Sequence, residues 1–361
     1  MFRKVALRNF RGVSEGDVEL WPFTLMIGRN NSGKTTVLEA LFLAPDPFRS
    51  VFGGYSPPLK EGKDTALHCL AYLHESLDST GFRFLLRDYI AKKSEIHYYL
   101  ASENAFIGRD FYLIFERKEA DLCWVSYALP YYKPEGELEQ VVEENVGSFH
   151  LDSYTVSTGQ SPPTEIREME VLFLRSDLMR LYWRMFKRRW VDISNMGIGS
   201  TVAPKISELV EENYDDLTLE PFGGGLTIYL RKSNGKRIRI SDLGDGAQLF
   251  LTALILKELV KPKVMLWDDL EAHMNPQMIT RALEWLAGLV KEGVQVVATT
   301  HSMEVLSKAL ALMEVEGLEK LFRVLLLQLR DGKLVSKPLS WDEASKLIEG
   351  GLDIRLAGSL L

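Results

Sequence analysis

Apolar and polar positions follow two rhythms along the chain. Four runs, at 23–27, 170–174, 264–267 and 294–298, are apolar almost throughout and read as strands buried on both faces, the pattern of a sheet covered by helices. Helices are predicted at 36–43, 66–73, 178–190, 203–213, 249–259, 302–312 and 341–348. Residues 82–99 and 111–129 are aromatic-rich and partly alternate, which predicts antiparallel strands. Segments 2–7 and 17–20 predict two more, around a turn at 9–12. Ser233-Asn234-Gly235 and Arg330-Asp331-Gly332 each lie between strand-like runs and predict hairpins over 226–240 and 322–338. The Pro-, Gly- and Ser-rich stretch 45–62 predicts a loop. The stretch 134–147, with Glu135, Glu137, Glu139, Glu143 and Glu144, predicts a solvated loop or helix face.

One junction between a strand and a helix carries chemistry. Gly28-Arg29-Asn30-Asn31-Ser32-Gly33-Lys34-Thr35 has the form G-x-x-x-x-G-K-[ST], and it follows the apolar run 23–27 and opens a helix. Glycines let successive N–H groups turn inward around phosphate oxygens, and the helix N-terminus adds partial positive charge. Asn30, Asn31, Ser32, Gly33, Lys34, Thr35 and Thr36 are therefore the candidate phosphate contacts. Lys34 would reach the β- and γ-oxygens, and Thr35 would offer its hydroxyl to Mg2+. The pattern predicts binding of ATP or GTP.

Composition narrows the setting. A chain of 361 residues accommodates one large α/β domain or two smaller ones. No apolar run approaches the length that spans a bilayer, so no membrane partner is expected. The N-terminus leads straight into a strand, which leaves no signal peptide and makes a cytoplasmic protein the expectation. Cys69 and Cys123 form no C-x-x-C pair, so neither zinc nor redox chemistry is indicated. A formal charge of −7 excludes a surface that is basic all over, so any nucleic-acid contact needs a local patch. The helix 178–190 offers one. Arg180, Arg184, Lys187 and Arg188 share one face at helical spacing and are candidate contacts to DNA phosphates. The alternative is that they stay solvated or pair with the acidic stretch 135–144.

The order strand, Asn9-Phe10-Arg11, strand, phosphate loop resembles the SMC/RecF branch of the ABC ATPases. Leu243-Gly244-Asp245-Gly246, followed by Gln248, resembles the ABC signature L-S-G-G-Q and its L-[SG]-[DE]-G variant in compact overcoming-lysogenisation-defect (OLD)-type ATPases. By that resemblance Gly244, Asp245, Gly246 and Gln248 meet the γ-phosphate held by the other protomer, with Gly244 in place of the signature serine. Val264-Met265-Leu266-Trp267-Asp268-Asp269 resembles Walker B. Asp268 is then implied to hold Mg2+, and Asp269, where the family usually has glutamate, to deprotonate the attacking water. Residues 270–276 resemble P-E-x-x-L-H-P, which implies that Glu271 and His273 lie on a loop facing the partner protomer. His301 resembles the histidine of the H-loop, implied to sense the γ-phosphate, and Arg11 is implied near the phosphates or ribose. The strand 170–174 stands where the family's strand leads into the Q-loop, but Arg175-Ser176-Asp177 follow it and no glutamine is present.

The resemblance covers residues 1–44 and about 225–303. No sustained heptad pattern predicts a coiled-coil arm, and the stretch after His301 is too short for a TOPRIM nuclease domain. The expected fold is an α/β P-loop NTPase: an ABC-type head with a mixed core sheet, an antiparallel sheet lobe and a small helical insertion. A single head over 1–361 is expected, with a core lobe at 1–45 and 225–361 and an insertion lobe at about 46–224. The implied function is Mg2+-dependent ATP hydrolysis by a homodimer that forms on ATP, in DNA maintenance, repair or recombination. The alternative is a regulatory or defence ATPase whose nucleotide state controls a separate nuclease or toxin effector.

Overall fold

The computed structural model describes residues 1–51, 65–101, 109–132 and 138–356. In chain order the elements are β1 (Phe2–Phe10), β2 (Val13–Glu19), β3 (Phe23–Ile27), α1 (Lys34–Leu43), α2 (Ala66–His74), β4 (Lys93–Leu100), β5 (Arg109–Arg117), β6 (Leu122–Tyr132), β7 (Leu138–His150), β8 (Val156–Thr158), α3 (Thr164–Arg167), β9 (Val171–Leu174), α4 (Met179–Arg188), α5 (Trp190–Asn195) and α6 (Ile198–Val210). They continue with β10 (Asp216–Phe222), β11 (Gly225–Arg231), β12 (Arg237–Arg239), α7 (Asp245–Val260), β13 (Val264–Trp267), α8 (Pro276–Lys291), β14 (Gln295–Thr300), α9 (Met303–Glu316), β15 (Phe322–Arg330), β16 (Lys333–Leu339) and α10 (Trp341–Glu349).

One mixed sheet runs in the order β8-β7-β6-β5-β4-β1-β2-β16-β15-β3-β14-β13-β9, and β10-β11-β12 form a separate antiparallel sheet. The strands β15, β3, β14, β13 and β9 are parallel to one another, and β3, β9, β13 and β14 are buried at every residue, as their unbroken apolar runs predict. Strands β4–β8 extend the same sheet antiparallel through β1. This extension packs on α1: Tyr98 and Tyr127, both fully buried, donate their hydroxyls to the carbonyls of Ala40 and Ala44. Cys69 and Cys123 are buried and unpaired, and burial pushes both thiols up to about 12, so they behave as core residues.

The two parts of the sheet join where β2 meets β16, through the parallel pairs Glu15↔Lys333 and Gly16↔Leu334. A Cβ on Gly16 would lie 2.3 Å from the Leu334 carbonyl oxygen. Gly16→Ala is therefore expected to destabilise the fold by about 1–3 kcal/mol, read as a lower urea midpoint with an unchanged slope. An unchanged midpoint would show that the junction yields freely.

Some local expectations fail for physical reasons. Residues 83–85 and 87–89 are 3-10 turns rather than strand, and Asp88 and Tyr89 sit at φ 52° and 63°, which no extended chain adopts. The acidic stretch is strand β7 from Leu138 onward, not a loop or helix face; Glu135 and Glu137 lie outside the described residues, as does 52–62 of the expected loop. Strand β10, unread in the sequence, pairs with β11. The helix expected over 178–190 ends at Arg188 and resumes as α5.

Candidate nucleotide site

The phosphate loop leaves the buried strand β3 and enters α1 through Gly33, whose φ is 93°. Two glycines are required here. A Cβ on Gly28 would approach the Leu327 carbonyl oxygen to 2.4 Å, and one on Gly33 would approach Leu334 Cδ1 to 2.7 Å. No side chain caps α1, so its first-turn amides stay available to an anion, whereas Thr65, Asn275, Ser302 and Ser340 cap α2, α8, α9 and α10. Asn30 and Asn31 are exposed, and Ser32 is buried within the loop. Lys34 curls over the loop, donating to the carbonyls of Gly28 and Arg29 at 3.1 Å each. Burial lowers its ammonium from the usual lysine range, while Asp269, Asp268 and Glu271 oppose that shift.

The Walker B end lies directly opposite. The Thr35 hydroxyl donates to Asp268 at 3.0 Å, and the Thr299 hydroxyl donates to the other Asp268 oxygen at 2.8 Å. Burial raises the Asp268 carboxyl above the usual carboxylate range, with Asp269 adding to the shift and Thr299, Arg175 and Thr35 opposing it. A hydroxyl and a carboxylate are hard oxygen donors of the kind Mg2+ takes beside substrate phosphates and water. Among the described residues no group of three or more His, Cys, Asp or Glu gathers into a metal cluster.

Asp269 is exposed and adopts φ 50°, with its N–H bonded to Thr299 Oγ1 at 2.8 Å. Its carboxylate lies 3.6 Å from His301 Nε2. Glu271 is committed elsewhere, accepting from the Thr300 hydroxyl at 2.8 Å and the His301 N–H at 2.7 Å. Arg355 donates to the His301 carbonyl at 2.8 Å, so side chains hold both sides of the His301 backbone.

Arg11, Lys34, Thr35, Arg175 and His301 line one cleft, together with His74 and the loop from Asn30 to Thr36. Arg11 does not project freely into it. Its guanidinium pairs at 2.6 Å with Glu39, a fully buried residue of α1 that also accepts from His74. Burial pushes the Glu39 carboxyl up, but Arg11, His74 and Arg175 more than offset this and hold it below the usual range. Glu39, Thr299 and Arg175 belong to this site but to none of the motifs in the sequence. A carboxylate in an otherwise apolar helix was the available signal for Glu39, and a position just past a buried strand was the signal for Arg175.

The signature residues are not brought to this cleft. Gly244 is the N-cap of α7 with no side-chain cap, and Gly244 and Asp245 are exposed. Gly246 is buried against His273, whose carbonyl oxygen would lie 2.5 Å from an added Cβ. Gln248 turns inward to the carbonyl of Leu243. Asp245 and Gln248 instead border a second groove with Arg180, Trp183, Arg184 and Lys187 of α4. Among the described residues Arg180, Arg184 and Lys187 form no ion pair, and Arg188 is engaged.

Residues 124–307 match the family described as "AAA domain, putative AbiEii toxin, Type IV TA system", a match over just over half of the chain. The chain belongs to this AAA-domain family. Residues 1–122 also match the family described as "AAA ATPase domain". The chain is 34% identical over 65 residues to the glutamate transport ATP-binding protein GluA of Corynebacterium glutamicum, covering 18% of this chain and 27% of that one. It is 36% identical over 84 residues to the DNA replication and repair protein RecF of Edwardsiella ictaluri, covering 22% and 21%. The chain thus spans about a quarter of the length of these curated relatives. Among solved structures it resembles an SmcHead bound to the C-winged helix domain of ScpA, at TM-score 0.55 and 16% identity over 96% of this chain and 99% of that one. It also resembles an Smc head domain with a coiled coil and joint from Pyrococcus yayanosii, at 0.53 and 10% over 97% and 99%. At these identities the likeness is one of fold. The chain thus combines AAA ATPase-family sequence with the fold of SMC head domains, and no helix among the described residues is long and apolar enough to cross a membrane.

Proposed function

We propose that this ATPase is an ATP-gated homodimer in which each nucleotide is enclosed between the phosphate loop of one protomer and the signature residues of the other. One observation carries the reading. Lys34, Thr35, Asp268, Asp269 and His301 converge within one protomer, while Gly244 and Asp245 stand exposed at an uncapped helix N-terminus that lines a different groove. Each face alone leaves part of the triphosphate without donors. In this reading the chain is a single head, with a core lobe at 1–45 and 225–361 that also takes in β9, and an insertion lobe over the rest of 46–224.

Thr35 and Asp268 would hold Mg2+, which would supply positive charge to the substrate's phosphates. Lys34 and the amides of the loop and α1 bind the phosphates, and Ser32, Gly33 and Thr36 complete the cradle. Arg11 borders the phosphates or ribose at a position set by Glu39. Asp269 takes the proton of the attacking water, and His301 orients that water and the γ-phosphate. Gly244, Asp245, Gly246 and Gln248 form the partner's face, with Gln248 shaping its loop from within.

The output we propose is DNA maintenance, repair or recombination. The groove of Arg180, Arg184 and Lys187 supports it, as does the local likeness to RecF. If these three cations meet phosphates, the log–log salt slope of duplex binding is expected to be roughly −2.7. The triple reversal to Glu should flatten it without harming ATP binding, and an unchanged slope would refute the patch. The second reading, a regulatory or defence ATPase that controls a separate effector, is favoured by the toxin–antitoxin wording of the matched family. Hydrolysis measured with and without duplex or single-stranded DNA separates the two. DNA alone stimulates it under the first reading and leaves it unchanged under the second.

A further inference from the structure

Strand β9 lies parallel beside β13 with Leu174 opposite Trp267, so Arg175 and Asp268 leave the carboxyl edge of the sheet side by side. The anchor is rigid: Phe173 and Leu174 are fully buried, and the Leu174 carbonyl accepts from the Asp268 N–H at 2.9 Å. Arg175 Nε donates to Asp177 at 2.9 Å, which holds the guanidinium by one edge. Its two terminal nitrogens make no hydrogen bond among the described residues. The nearer one stands 3.5 Å from Asp268 Oδ2, the oxygen that Thr35 reaches at 3.0 Å. Arg175 is therefore a tethered cation at the Thr35–Asp268 end of the cleft, its side chain only 27% exposed, so its charge is less screened than in bulk water. The other two cations of that cleft, Lys34 and Arg11, are held by the phosphate loop and by Glu39.

We propose that Arg175 is a catalytic residue that supplies an arginine to the γ-phosphate from within the same protomer; this rests on the nucleotide site proposed above. As the water oxygen bonds to the γ-phosphorus, the bond to the bridging oxygen breaks and its electron pair stays on ADP. The water proton passes to Asp269. Negative charge shifts among the phosphate oxygens during this step. A planar guanidinium whose terminal nitrogens make no hydrogen bond among the described residues, one of them in a 3.5 Å ion pair with Asp268, can bond two such oxygens at once, and it carries a full charge that a neutral glutamine lacks.

The test compares wild type with Arg175→Ala, Arg175→Gln and Arg175→Lys in Mg2+-dependent ATP hydrolysis, and in binding of a fluorescent ADP with and without aluminium fluoride. The alanine and glutamine variants are expected to lose about 10²-fold or more in kcat, with a much smaller change in KM. They should bind ADP as wild type does but lose the tightening that aluminium fluoride brings. Arg175→Lys should fall between. A kcat within a few-fold of wild type in both the alanine and glutamine variants, or a matching loss of plain ADP binding, would overturn the inference. Wild-type hydrolysis no faster than that of Lys34→Ala would overturn the nucleotide-site reading and the inference with it.

Discussion

Asp269→Asn is expected to lower ATP turnover by about 10²-fold or more at saturating ATP and Mg2+, the loss that follows removal of a positioned base. The change keeps the side-chain shape, and asparagine tolerates the φ of 50° that this position requires. The backbone bond to Thr299 is untouched, so the fold and the phosphate loop should survive. Aspartate is one methylene shorter than the glutamate usual in the resembled family, so Asp269→Glu should keep or raise turnover if reach limits the rate. Glu271 is the other carboxylate at hand, but both its oxygens already accept hydrogen bonds from the end of β14 and the residue after it. Steady-state phosphate release at several enzyme concentrations checks this. Wild-type turnover in Asp269→Asn would mean that the base is elsewhere.

Gly244→Arg is expected to abolish ATP-dependent dimerisation while leaving the monomer folded. An added Cβ at Gly244 meets nothing within 4 Å, and the backbone there has an ordinary φ of −62°. Gly246 is a poorer probe, because any side chain there strikes the His273 carbonyl and the fold suffers as well as the interface. Light scattering with a non-hydrolysable ATP analogue should give a dimer mass for wild type and a monomer mass for Gly244→Arg. Asp269→Asn with ATP and Mg2+ should also be dimeric. Equal masses for wild type and Gly244→Arg, with both monomeric, would contradict the ATP-gated dimer.

The parts legible in the sequence are those whose chemistry is local. The glycine spacing of residues 28–35 fixes the loop because backbone amides must face an anion, and the apolar runs of β3, β13, β9 and β14 mark strands buried on both faces. What escaped depends on partners far along the chain. The first half of β7 is charged and largely exposed, and it is held extended by its pairing with β6 rather than by any alternation of its own. Strand β10 is likewise ordered by β11. Glu39 reads as one polar residue in an apolar helix until Arg11 and His74 are brought to it across the fold. The place of Arg175 follows from the pairing of β9 with β13, strands about ninety residues apart in the chain.

If two chains build each nucleotide site, two inactive variants should complement each other when mixed. Lys34→Ala lacks a working phosphate loop but keeps its signature face. Gly244→Arg keeps its phosphate loop and lacks the signature face. A heterodimer of the two contains one intact composite site. Each variant alone is expected to hydrolyse ATP negligibly, and mixing them is expected to restore hydrolysis well above the sum of the two. If the mixture stays at that sum, or if Gly244→Arg alone turns over ATP like wild type, the composite site is contradicted and the site is complete within one chain.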